Sequence, residues 1–291
     1  MRRLQQGMET FQRTYLFIKK LLKDPAGLIG FLILCFMIFI AIFAPLIAPY
    51  DPTAVNMQER LQPPSGTHWF GTDNIGRDIF SRVIFGARIT LTAGIMVVVM
   101  ALSVGTLLGA IAGYFGGITN DIIMRITDIF LSFPSLVLAI LIAATLGPGL
   151  YNAMIALLVS WWPWYTRLTQ GQVLSVRQNY YVESAIAVGC SSPRVIFKHI
   201  LPNCLSAIIV QATMDFGYAV LATASLSFIG LGVRPPTPEW GIMINEGRMY
   251  VLSGQWWMIF FPGIFLALTV LGFLLLGDRL NEILNPRLEK R

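Results

Sequence analysis

Asp215 is the single charge in an otherwise apolar stretch from about Cys204 to Val233. A carboxylate carried to membrane depth is costly unless it faces a wet cavity or a partner. Two roles fit it: lining an aqueous path and meeting a substrate amine there, or making a hydrogen-bonded contact with a helix of another subunit. A second chemistry-bearing run is Gly71-Thr-Asp-Asn-Ile-Gly-Arg-Asp78. Its Asp and Asn side chains can order a turn by bonding nearby backbone, or its charges can contact a soluble protein. A third is the polar island from Tyr181 to Pro202, set between strongly apolar segments.

Enzymatic chemistry has little support. No Gly-Lys dipeptide occurs anywhere, so there is no phosphate loop of the Gly-x-x-x-x-Gly-Lys-Ser/Thr type. His68 and His199 are the only histidines and lie far apart, which leaves no His-based triad and no His-rich metal site. Cys35, Cys190 and Cys204 show no paired spacing and read as reduced, structural thiols. The expectation is a chain with no catalytic residue, no metal site and no cofactor of its own.

The elements that position these residues are membrane helices. Charged residues make up 12% of the chain and hydrophobic ones 55%, whereas a soluble domain carries about a quarter charged. A helix needs about 20 apolar residues to cross the hydrocarbon layer. Uncharged runs extend from Leu28 to Tyr50, Ile89 to Asn120, Ile129 to Thr166 and Met249 to Gly277. The third is too long for one helix and is cut by Gly147-Pro-Gly149. With the Asp215 segment this predicts an all-α, polytopic membrane protein with six transmembrane helices, near 27–48, 88–113, 121–146, 151–173, 204–231 and 257–277.

The larger share of the 21 Lys and Arg falls in the N-terminal tail, the island and the C-terminal tail. The bias of basic residues toward the cytoplasm then puts both termini and the island inside. The expected order is a cytoplasmic tail over 1–26, a first helix over 27–48, an extracytoplasmic loop over 49–87, a core over 88–277 containing a cytoplasmic loop at 174–203, and a cytoplasmic tail over 278–291. The basic balance reflects insertion topology and anionic lipid, with no reason to invoke nucleic acid. Trp161, Trp162, Trp164, Trp256 and Trp257 are expected near helix ends as interfacial anchors, an aromatic substrate box being the other reading. Arg125 and Asp128, three apart on a helix, are expected to pair.

Within the island, Val182, Ala185, Ile186 and Gly189 recur at helical spacing and give a small-faced stripe suited to a groove. Gly189 can end a helix in a left-handed turn, and Pro193 can start the next. Glu183, Ala185 and Gly189, followed by Leu201 and Pro202, resemble the cytoplasmic coupling loop of bacterial ATP-binding-cassette importer permeases. Ser184 stands where that pattern has a second Ala, and His199 where it has Ile. The likeness extends to the peptide and nickel branch, in its C-type subunit, through Ala48-Pro-Tyr-Asp-Pro52, the run at Gly71, Thr72, Asp73, Gly76, Arg77 and Asp78, Ala112-Gly-Tyr-Phe-Gly-Gly117, Met124-Arg-Ile-Thr-Asp128, Ser132-Phe-Pro134, Leu226-Ser-Phe-Ile-Gly-Leu-Gly232, Pro235-Pro-Thr-Pro-Glu-Trp-Gly241, Leu276-Gly-Asp278 and Asn285-Pro-Arg287.

That resemblance implies a type I importer permease fold in the bacterial inner membrane. It also implies a homologous second permease subunit, two cytoplasmic ATPase subunits that bind ATP and Mg, and an extracytoplasmic substrate-binding protein. It makes Glu183, Ser184, Ala185, Gly189, Leu201 and Pro202 the ATPase-coupling residues. Short peptides are the implied cargo, with nickel or another metal chelate, glutathione and D-amino-acid dipeptides as alternatives. An ion-driven secondary transporter would show inverted repeats and several buried charges near the midplane; the single Asp215 and the lack of an evident repeat speak against it.

Overall fold

The computed structural model describes residues 24–284. The expected cytoplasmic tails, apart from their innermost residues, and the Asn285-Pro-Arg287 block lie outside the described residues. Among the described residues there is no strand, only helices and loops.

Helix α1 (Pro25–Ile42) starts where Pro25 follows Asp24, whose carboxylate accepts from Gly27 N at 2.9 Å. Gly30, Leu34, Met37 and Ile40 form its buried face, while Phe36, Ile38 and Phe39 are exposed. An apolar helix bare on its outer side is what lipid solvates. Helix α2 (Ile79–Phe115) has 37 residues, about 55 Å at 1.5 Å per residue. Then come α3 (Gly117–Leu131), α4 (Ser135–Leu146), α5 (Leu150–Arg177), the short α6 (Tyr180–Ala187), α7 (Leu201–Phe228), α8 (Trp240–Gly247) and α9 (Trp257–Leu284). A π-helical stretch, Val195–Ile200, leads directly into α7.

Four stretches are long and apolar enough to cross a membrane alone: α1, α2, Ser192–Phe228 and α9. The pair α3 and α4 makes a fifth, bent by 86°. The single helix expected over 121–146 is therefore two. Pro134 is the reason, because its ring disfavours helical backbone in the preceding residue, and the chain turns at Ser132–Phe133 before restarting at Ser135. Helix α5 supplies the sixth pass. Its 28 residues are more than long enough, yet it carries Arg167, Gln170 and Gln172. It tolerates them because it is central, packed between α2, α3, α4 and α7, and does not depend on lipid all round.

The second helix begins at Ile79, well before the expected 88. Asp78 caps it, its carboxylate accepting from Ser81 N at 2.7 Å. Arg82, read in sequence as loop, sits inside the helix and 1% exposed because acidic partners neutralise it.

Along α2 the apolar core falls into three groups. At its start, Ile79, Val83 and Ala87 meet Met37, Trp240 and Trp257. In the middle, Val97 and Ala101 meet Leu157 and Ala219. Near its end, Ala110 meets Val173, Val182 and Ile200. The polar loop before α2 and the segment around α6 thus occupy opposite ends of the bundle. Between α2 and α5 the packing is backbone on backbone. Gly105, Gly109 and Gly113, four apart, let the parallel helix α5 approach so closely that a Cβ on Gly109 would stand 2.5 Å from the Thr166 carbonyl oxygen and 2.8 Å from Thr169 Cβ. Small residues at this spacing are how membrane helices gain dispersion contacts where burial from water drives nothing.

Candidate functional site

All six candidates in the 71–78 run are buried. The Asp73 carboxylate accepts from the backbone of Ile75 and Arg77 at 3.0 and 2.9 Å, closing a tight turn. Gly76 completes that turn at φ +79°, and a Cβ there would lie 1.7 Å from the Asn56 carbonyl oxygen, so only glycine fits. The Arg77 side chain pairs with Asp73 at 2.5 Å and with Glu246 at 2.9 Å. Arg82 pairs with the same two carboxylates at 3.2 and 2.7 Å. Two cations and two anions therefore interlock the loop, the start of α2 and the end of α8. Trp257 adds a bond from its indole N–H to the Thr72 carbonyl at 3.1 Å, and His68 Nδ1 lies 2.9 Å from Asp78. These bonds and ion pairs order the loop.

Glu239 was not singled out by its chemistry. It is fully buried at the start of α8, accepting from Gly241 N and Ile242 N at 2.9 and 3.0 Å. Desolvation pushes its carboxyl above the usual range, and the hydrogen bonds from these backbone groups work against that shift.

Asp215 lies near the middle of α7. Its carboxylate accepts from the Tyr165 hydroxyl at 2.6 Å and from Gln211 Nε2 at 3.0 Å. It borders a cavity of about 480 Å³ whose walls include Trp161, Trp164 and Tyr218. Trp161 and Trp164 are thus at the centre of α5 and not at a helix end. Interfacial anchoring does not describe them, because one turn of a central helix points both into the cavity. A smaller cavity, about 190 Å³, adjoins through Ser135, Trp161 and Tyr218 and continues to Ser225. Gln211, Asp215, Tyr218, Ala222 and Ser225 recur every three to four residues, which puts them on one face of α7. That spacing was legible in sequence. The partnership with Tyr165, fifty residues away, was not.

Asp128 pairs with Arg167 of α5 and not with Arg125 as expected. The pair, with the Gln170–Asn120 bond at 3.0 Å, ties α3 to α5.

The island folds as helix, turn, helix. Helix α6 carries Glu183 in its first turn, and Gly189 follows at φ +81° with open space around it. The expected stripe divides. Val182 is buried against Val173 and Ile200 of the same chain and Ala185 is buried as well, because α6 lies back on the end of α5 and on the π-helical stretch. The outward face is Tyr180, Glu183, Ser184, Ala187 and Val188, with Tyr180 87% and Val188 79% exposed. Ile186 and Gly189 are exposed as well. Leu201 is half-buried against the α6 cluster, and Pro202 is exposed in the first turn of α7. Two large apolar side chains held out beside a carboxylate form a surface that lipid or a protein must cover.

Known proteins agree with this architecture. Residues 105–290 match the family described as "Binding-protein-dependent transport system inner membrane component", and residues 13–64 match the "N-terminal TM domain of oligopeptide transport permease C". A probable D,D-dipeptide transport system permease protein of Escherichia coli is 48% identical over 91% of this chain and 88% of its own. A dipeptide transport system permease protein of Alkalihalophilus pseudofirmus is 46% identical over 93% and 89%. Among solved structures, a chain of the MetNI methionine ABC transporter in an inward-facing conformation shares the fold with TM-score 0.57 and 19% identity, covering 71% of this chain and 98% of that one. With the fold, the broken pass at Pro134 and the sequence matches in hand, the chain is a multi-pass membrane protein that belongs to the inner membrane component family of binding-protein-dependent transport systems.

Proposed function

We propose that the chain is one permease subunit of an ATP-driven importer of short peptides. The observation that carries this reading is near-full-length similarity to permeases named for dipeptide transport, joined to an exposed helix–turn–helix that holds Tyr180 and Val188 out beside Glu183. In this reading a second, homologous permease completes the path. Two ATPase subunits bind ATP and Mg on the α6 side, which is cytoplasmic together with both termini. A substrate-binding protein delivers cargo at the opposite end.

The work of this chain is mechanical. Closure of the ATPases displaces α6, whose buried Val182 and Ala185 transmit the push to α5 and to the π-helical lead into α7. Glu183 gives the joint a charge-assisted hydrogen-bonding handle, and Gly189 allows the reversal that keeps α6 against its own subunit. Hydrogen bonds to a charged group contribute roughly 1.5–3 kcal/mol, and 1.36 kcal/mol is a factor of ten in rate.

Glu183→Ala is accordingly expected to lower cargo-stimulated ATP hydrolysis about tenfold while the subunits still co-purify. Gly189→Leu, which forces a branched side chain into left-handed backbone without filling any occupied space, is expected to uncouple in the same manner. Hydrolysis stimulated normally in both variants overturns the assignment of this loop. Failure of the wild-type assembly to accumulate a dipeptide in vesicles overturns the proposed cargo.

A further inference from the structure

The cavity beside Asp215 contains one feature that a passive conduit does not need. Its carboxylate receives two hydrogen bonds, and both partners are donors, Tyr165 through its hydroxyl and Gln211 through its amide. An ionised carboxylate only accepts, so this arrangement satisfies the charged form. Among the described residues no Lys or Arg lines either cavity or forms an ion pair with Asp215. A charge held at membrane depth by neutral donors alone is under-compensated. The residue is 9% exposed, and what exposure it has is toward the cavity.

The walls supply the complement. Trp161, Trp164 and Tyr218 border the same space, and aromatic faces attract a cation within about 6 Å of the ring centroid. A carboxylate with aromatic walls and no competing base recognises a primary ammonium. Position agrees: Asp215 is 14 residues from Leu201 and 13 from Phe228, the ends of α7, so it lies about 20 Å from each at 1.5 Å per residue.

We propose that Asp215, oriented by Tyr165 and Gln211 and walled by Trp161 and Trp164, is a mid-membrane binding site for the α-ammonium group of a peptide in transit. This rests on the reading of the chain as a peptide permease. The site holds the leading amine while the rest of the peptide extends along the α7 face toward Ser225. Occupancy replaces one hydrated cation's shell with fixed donors and π faces, so the site selects a free amine independently of side chains.

The test uses the whole purified assembly, without the binding protein so that its selectivity does not enter. Tryptophan emission is titrated with dialanine and with N-acetyl-dialanine, which carries no ammonium. Wild type is expected to show a saturable change with dialanine and none with the acetylated form. Asp215→Asn is expected to raise the dialanine midpoint at least about tenfold, the value of roughly 1.4 kcal/mol of lost charge pairing, and Asp215→Glu to stay near wild type. Equal midpoints in wild type and Asp215→Asn, an equal response to the acetylated peptide, or no response in wild type each overturn the proposal. So does an Asp215→Asn chain that no longer co-purifies with its partners, which assigns the residue to a subunit contact. Dipeptide uptake by wild-type vesicles is measured in parallel. Uptake without an amine-dependent signal sinks this site alone, whereas absence of uptake sinks the peptide-permease reading beneath it.

Discussion

Glu246→Ala is expected to destabilise the folded chain by about 3–5 kcal/mol, the cost of removing one partner from a buried ion pair. Glu246 is shared by Arg77 and Arg82, which are 2% and 1% exposed, and its loss leaves two guanidinium groups facing the single carboxylate of Asp73. The damage spreads, because the same two arginines hold the loop before α2 and the end of α8. Thermal unfolding of purified protein in detergent should show a markedly lower midpoint for Glu246→Ala. Glu246→Gln should lie between, since an amide oxygen still accepts one N–H bond but carries no charge. An unchanged midpoint in the alanine variant would mean that water already solvates these arginines. The variant should not alter ATPase coupling in whatever fraction folds, because the cluster and α6 are at opposite ends of α2.

Gly109→Leu is expected to abolish assembly of the folded bundle. Its first added atom alone would meet the Thr166 carbonyl oxygen at 2.5 Å and Gln170 N at 3.0 Å, both backbone atoms of a helix that cannot step aside. Overpacking costs typically 1–3 kcal/mol when side chains can adjust; here the whole of α5 must move outward. Gly109→Ala is the graded control, expected to lower stability by about 1–3 kcal/mol and still fold. Monodisperse protein after size-exclusion chromatography reads the outcome, and wild-type yield for the leucine variant would show that α2 and α5 separate at little cost. Tyr165 packs against Gly105 on this same seam and bonds Asp215, so any alanine variant that widens it should also weaken dialanine binding.

How much of this was legible in the chain depended on range. Uncharged runs located the passes because a lipid-facing surface is written residue by residue, and Gly147-Pro-Gly149 marked a break through local backbone chemistry alone. Pro134 is equally visible, but the uncharged run continues on both sides of it, so hydropathy alone predicts a straight pass where the structure has one bent by 86°. The uncharged run opening at Ile89 puts the start of α2 late. Charge counting assumes unpaired charges, and the acid that neutralises Arg82 comes from Glu246, 164 residues along the chain. The same limit hid the pairing of Asp128 with Arg167 and of Asp215 with Tyr165. Val182, Ala185 and Ile186 fall on a helix as their spacing predicts, with Gly189 just beyond it, yet periodicity alone does not say which side faces its own subunit. Both Val182 and Ala185 turn inward, Val182 onto the apolar surface of Val173, Val195 and Ile200.

The length of α2 has a consequence for motion. It is one uninterrupted rod of 37 residues, clamped at its first turn by paired charges and bordered at its last by the segment that carries Glu183. With a span of about 55 Å, a pivot of about 5° at the clamped end sweeps the far end through about 5 Å. In the proposed importer, a rigid lever of that reach would convert a small displacement at the α6 end into a change of tilt along its whole length, with no need for α2 to bend.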